Sequence, residues 1–135
     1  MPNGNVHKTA GAILGPLTYL AIQKNSEQKE NVDLGELLLS SGIGLSTARI
    51  PDILEPAIHP NHRDFFHSLV FAGITGYVGF KALQDFNIRR FESKELGIKQ
   101  WSWNEILDII IVIGAASILL HLFMDGFTKK GLPII

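Results

Sequence analysis

The chain has 135 residues, 46% apolar and 19% charged, with 12 basic and 13 acidic side chains giving a formal net charge of −1 and no cysteine. Such a balance excludes a disordered segment, which needs low hydrophobicity and high net charge, and a nucleic-acid-binding arm, which needs a basic field. The missing cysteines exclude disulfide scaffolds, thiolate zinc sites and cysteine nucleophiles, and the length suits one domain over residues 1–135.

Four apolar stretches organise the chain. The first covers residues 9–22 (TAGAILGPLTYLAI), with Pro16 inside it. No small-x-small cleavage site follows, so it reads as a retained helix rather than a signal peptide. A polar loop covers 23–33. The second stretch, 34–50, holds one acid, Glu36, and ends at Pro51-Asp52, where proline stops a helix. The third, 65–83, carries His67 and Lys81 near its ends, and a mixed-charge connection containing Arg89-Arg90 follows over 81–105. The fourth is 106–124 (ILDIIIVIGAASILLHLFM). The third and fourth reach the roughly 17–25 residues that a spanning helix needs; the second is marginal and the first short.

Between residues 109 and 120 the only polar side chain is Ser117. A soluble four-helix bundle would show a polar stripe there, and a chain this small cannot surround such a helix on every side. The predicted fold is therefore all-α, a membrane-embedded bundle of about four transmembrane helices. Gly11 and Gly15 in the first stretch and Gly73, Gly76 and Gly79 in the third let helices approach closely, within one chain or in a homo-oligomer. Trp101 and Trp103 suit an interfacial aromatic belt. Ser102 or Asn104 suits the cap of the last helix, and Asp108 a snorkelling acid in its first turn.

Alternating helix directions bring His7, Asp52, His59, His62, His67, His121 and Asp125 to one end of the bundle. Singly, most have plain explanations: Pro51-Asp52 as a turn, His59 as a dipole-stabilising residue. Together, histidine and carboxylate without cysteine form a ligand set for zinc or another divalent metal. His121 and Asp125 stand four apart and share a helix face.

Pro51-Asp52, then His62-Arg63-Asp64-Phe65-Phe66-His67-Ser68, then His121-Leu122-Phe123-Met124-Asp125-Gly126-Phe127-Thr128 with Gly131 and Pro133, together resemble the YdjM-like family of inferred inner-membrane-bound metal-dependent hydrolases. His7 matches the family's histidine ahead of the first helix. Two positions depart from its pattern. The second acid that often follows two residues after PD is Leu54 here, with Glu55 next, and Asp64 stands where glycine is common. The family is itself distantly similar to zinc-dependent phospholipase C enzymes.

The resemblance implies a metal site formed by His7, Asp52, His62, His67, His121 and Asp125, with Asp52 and Arg63 as catalytic residues. Zinc is the first expected ion and manganese the second. Six ligands would serve two ions about 3.5–4 Å apart if an aspartate bridges them, an arrangement suited to phosphoester cleavage. Arg63 would hold a phosphoryl oxygen, and Ser68 and Thr128 would orient ligands. At a membrane surface the nearest phosphoesters are lipid headgroups, so membrane lipid is the expected partner and nucleic acid is not. The alternative is a non-enzymatic membrane subunit or ion-pathway protein with a structural metal. An ion pathway needs polar groups along the membrane depth, which the fourth stretch lacks. Five basic residues lie at the site end (Lys8, Arg49, Arg63, Lys129, Lys130). Seven lie at the other (Lys24, Lys29, Lys81, Arg89, Arg90, Lys94, Lys99). Positive-inside counting then places the site on the extracytoplasmic side of a multi-pass inner-membrane protein.

Overall fold

The computed structural model describes residues 4–26, 33–56, 65–98 and 100–127. They form four long helices and two short ones: α1 (Gly4–Ser26), α2 (Leu34–Thr47), α3 (Ile50–Leu54), a 3-10 turn (Phe65–His67), α4 (Leu69–Glu95) and α5 (Trp103–Gly126). The all-α expectation holds, with no strand among the described residues. Helix α5 is central and packs against α1, α2 and α4.

Only α5, which contains an 18-residue stretch with a mean hydropathy of 2.5, is long and apolar enough among the described helices to cross a membrane. The expected four spans are therefore not matched one for one. Helix α2 has 14 residues, which at 1.5 Å per residue gives about 21 Å, short of a hydrocarbon core of about 30 Å. Helix α4 has the length, at 27 residues, but its second half is charged.

Several boundaries differ from the sequence expectation for local reasons. His7 lies inside α1 rather than before it, and α1 continues into the expected polar loop as far as Ser26. The second stretch breaks at Ala48-Arg49, and Pro51 opens α3 instead of closing α2. Proline suits a first helical turn because its missing N–H would find no intrahelical partner there. Most of the expected 81–105 connection is helix. Helix α4 runs to Glu95 and stops at Gly97, whose φ of 72° lies in the left-handed region that glycine tolerates. Ile98 N–H then donates to Ser93 O at 2.8 Å, and Gly97 N–H to Lys94 O at 3.0 Å.

That extension gives Arg89 and Arg90 partners on α5. Arg89 Nε donates to Asp108 Oδ2 at 3.1 Å, and Arg90 Nη1 to Glu105 Oε1 at 3.0 Å. Asp108 is thus a buried, paired acid rather than a snorkelling one. Ser102, not Asn104, caps α5, with Glu105 completing a capping box. The two tryptophans divide. Trp103 is exposed, whereas Trp101 packs edge-on against Tyr19 and Phe86, beside the buried cluster of Ile22, Ile109 and Ile113.

Helix α1 presents His7, Gly11, Gly15, Tyr19 and Gln23 as one buried stripe at four-residue spacing, the period of a helix face. A Cβ at Gly11 would overlap the Gly44 carbonyl and approach Ala48 Cβ to 2.6 Å, and one at Gly15 would overlap the Ser40 carbonyl. These glycines bring α1 against α2 of the same chain. Pro16 cannot donate to the Ala12 carbonyl one turn back; Ser41 Oγ of α2 donates to it instead, at 2.8 Å. Ser41→Ala should therefore destabilise the protein by about 1 kcal/mol, the usual worth of a half-buried hydrogen bond. Chemical denaturation in detergent reads this, and an unchanged midpoint would show that Ala12 finds another donor.

Candidate metal centre

Four short-range features of the chain place the site. His7 comes one turn into α1, Asp52 from α3, His67 from the 3-10 turn, and His121 and Asp125 from the last two turns of α5. The 3-10 turn ends where Ser68 caps α4, its hydroxyl accepting from Phe71 N–H at 3.1 Å. Ser68 is fully buried, so its described role is to start α4 directly after His67.

The side chains meet in a ring. His67 Nε2 lies 3.4 Å from both Asp52 Oδ1 and His121 Nε2, and 3.7 Å from Asp125 Oδ2. His121 Nε2 lies 3.5 Å from Asp52 Oδ1 and 3.4 Å from Asp125 Oδ2. The four donor atoms of Asp52, His67, His121 and Asp125 are all within 4.8 Å of one another. His7 joins from outside: its Nε2 is 3.4 Å from the other Asp125 oxygen, Oδ1, and its ring lies 4.0 Å from that of His121. Asp125 therefore touches three histidines through its two oxygens.

Chemistry decides what such a ring can hold. Carboxylates only accept hydrogen bonds, so Glu55 Oε2, at 2.9 Å, requires the proton of His67 on Nδ1. In the neutral ring the lone pair is then on Nε2, facing two carboxylate oxygens and a second imidazole nitrogen. Acceptors converging at 3.4–3.7 Å, three of the four side chains almost wholly buried, call for a proton or a metal cation between them. The donor set fits a metal ion. His67, His121 and Asp125 are at most 1% exposed, whereas the Asp52 side chain is 38% exposed, so solvent reaches the ring at Asp52.

Of the six ligands expected from the sequence, the structure brings together His7, Asp52, His67, His121 and Asp125. His62 lies outside the described residues, as do the catalytic candidate Arg63 and also His59 and Thr128. One site residue was missed. Glu55 accepts from His67 Nδ1 and, through Oε1, from Phe66 N–H at 2.8 Å. Its signal was the acid that follows PD in the family pattern, displaced here by one residue.

Asp52 and His67 lie in segments too short to span a membrane. Burial pushes the Asp52 carboxyl up, but the His67 hydrogen bond and the nearby His121, His67 and His7 charges outweigh it and hold it below its ordinary value of 3.8. Burial alone would lower His67; its bonds to Asp52 and Glu55 and the Asp125 charge win and raise it above 6.5. The His67 contribution to metal-free stability is thus complete below pH 6.5 and lost as pH rises through the raised value. The Asp52 contribution is present above pH 3.8 and lost as pH falls below it. Metal-free protein should accordingly melt lower as pH climbs past 6.5. Saturating zinc should reverse that slope, because protons compete with the ion for the same atoms. Identical slopes with and without zinc would separate the ring from metal binding.

The chain matches the YdjM inner membrane protein family over residues 1–135. It belongs to that family and is an inner-membrane protein. No curated protein and no solved structure matches it.

Proposed function

We propose that this chain is a metal-dependent hydrolase of the inner membrane, acting on phosphoesters at the membrane surface. One observation carries the reading: a buried ring of two histidines and two aspartates that solvent reaches at a single donor, Asp52. A purely structural ion would suit a closed ring. The edge of a tetrahedron around an ion bonded at about 2.0–2.1 Å is about 3.3–3.4 Å. The edges among His67, His121 and Asp125, at 3.4–3.7 Å, support zinc first; manganese, which also takes imidazole and carboxylate, comes second.

A bound divalent cation supplies Lewis acidity and brings the pKa of a coordinated water down to about 7. His67, His121 and Asp125 would hold the ion. Asp52 stands at the exposed side of the ring, where its carboxylate would accept a proton from a water. His7 orients Asp125 through its second oxygen, or binds a second ion beside it. His62 and Arg63 lie outside the described residues; on the family resemblance His62 would be a further metal ligand and the Arg63 guanidinium would serve a phosphoryl oxygen.

The outward residues of the other long helices support a multi-pass arrangement. Ile13 and Leu17 on α1, Leu38 and Leu39 on α2, and Tyr77 and Phe80 on α4 are all exposed, a surface for lipid rather than water. With the site extracytoplasmic, as the basic residues favour, a C-terminal reporter should work only outside the cytoplasm; activity only inside would reverse the orientation.

The test of function is hydrolysis by purified, zinc- or manganese-loaded protein of a phospholipid, a nucleotide and a simple phosphodiester. Metal-dependent turnover of one of them is the expected result. Stoichiometric metal without turnover of any would replace the enzyme by the structural-metal subunit.

A further inference from the structure

Glu55 is the C-terminal cap residue of α3, three positions after Asp52. Its two oxygens are both engaged by the 3-10 turn: Oε1 accepts from Phe66 N–H at 2.8 Å and Oε2 from His67 Nδ1 at 2.9 Å. Adjacent residues of one turn are therefore held by one carboxylate, whose side chain is 13% exposed. The opposite edge of the same imidazole carries Nε2, which faces Asp52, His121 and Asp125. His7 and His121 have no hydrogen-bond partner at Nδ1 among the described residues. His67 is thus the one described histidine of the three whose far nitrogen is tied to a carboxylate.

We propose that Glu55 is a positioning residue that fixes the His67 proton on Nδ1 and so presents the Nε2 lone pair to the metal. The proposal rests on the metal reading above. The physical cause is the acceptor-only character of a carboxylate. Bound to Nδ1–H, it selects one tautomer, sets the ring plane and makes Nε2 more basic, as outer carboxylates do for ligating histidines. Glu55 stands outside the group of converging donors, with both of its oxygens accepting from the turn. Through α3 the same residue also ties Asp52 and His67 together, two donors that arrive from different elements.

The experiment compares full-length wild type, Glu55→Gln, Glu55→Ala and His67→Ala in detergent. It uses zinc titration against a competing chelator and imidazole nitrogen-15 spectra with and without zinc. Wild type should show Nδ1–H on His67 in both states, with zinc on Nε2. Glu55→Ala should bind zinc about 10–100-fold more weakly, at unchanged stoichiometry and helix content, with neutral His67 distributed over both tautomers. Glu55→Gln keeps one carbonyl acceptor and should recover part of that loss, which a purely structural role does not explain. Wild-type affinity in Glu55→Ala, or a neutral wild-type His67 protonated on Nε2, overturns the proposal. So does complete loss of zinc in Glu55→Gln to the level of His67→Ala, which would make Glu55 a ligand. If wild type binds no metal, the proposed function fails, and the His67 tautomer in the metal-free spectra still decides the role of Glu55.

Discussion

Asp125→Ala should lose at least about 100-fold in zinc affinity, since loss of an outer partner alone costs 10–100-fold, and all metal-dependent turnover with it. Asp125 is chosen because its carboxylate faces all three histidines: Oδ2 faces His67 and His121, and Oδ1 faces His7. Removing it leaves Asp52 as the one carboxylate among the described ring donors and His7 without its carboxylate partner. Asp125→Asn separates shape from charge. It preserves the volume beside His7 but removes the anion, and should behave nearly as badly. Zinc at about 100 times its dissociation constant should stabilise wild type by about 2.7 kcal/mol, and that increment should vanish in both variants. The helices should remain, because α1, α2, α4 and α5 pack through residues outside the ring. Full metal content in Asp125→Ala would remove it from the ring and, with it, the site as drawn.

The part of this site that spacing could reveal was legible. His121 and Asp125 sit four apart in an apolar run, and a continuous helix puts them on one face whatever else happens. The convergence of His7, Asp52 and His67 followed from alternating helix directions. The exact partners did not follow. Glu55 meets His67 across residues 56–64, a stretch without periodicity, so no pattern predicts which carboxylate receives Nδ1. His7 was expected before the first helix because the apolar run starts at residue 9. Helix formation does not need apolar residues in its first turn, and α1 begins at Gly4.

The fold was legible as four helical stretches and misjudged where charge was equated with loop. Arg89-Arg90 sits among acids and polar residues, which reads as solvated connection. Side chains on a helix can satisfy such charges against a neighbouring helix, and here they do, at Asp108 and Glu105. Pro51 misled in the opposite sense. Proline ends a helix when it falls in the interior and opens one when it falls in the first turn, and nothing in the local sequence distinguishes the two at Ile50-Pro51-Asp52.

Arg90→Ala should destabilise the protein by about 3–5 kcal/mol, the usual cost of leaving one member of a buried ion pair alone. Arg90 is 4% exposed and Glu105 is fully buried. The guanidinium also donates to Ile98 O at 2.9 Å, anchoring the turn after α4. Glu105 serves a second purpose, since Oε2 accepts from Ser102 N–H at 2.6 Å in the capping box of α5. The double variant Arg90→Met with Glu105→Leu removes both charges and the reciprocal cap. It should cost only about 1 kcal/mol for the cap, because an apolar pair replaces a buried ionic one with little net loss. The double variant should therefore be more stable than Arg90→Ala, although it carries more changes. Denaturant titrations of the three proteins decide this, and a double variant no better than Arg90→Ala would show that the arginine works through Ile98 rather than through Glu105. Glu105 and His121 are sixteen residues apart on α5, about 24 Å along the axis. Sites so separated act independently, so the fraction of Arg90→Ala that remains folded should bind zinc as tightly as wild type.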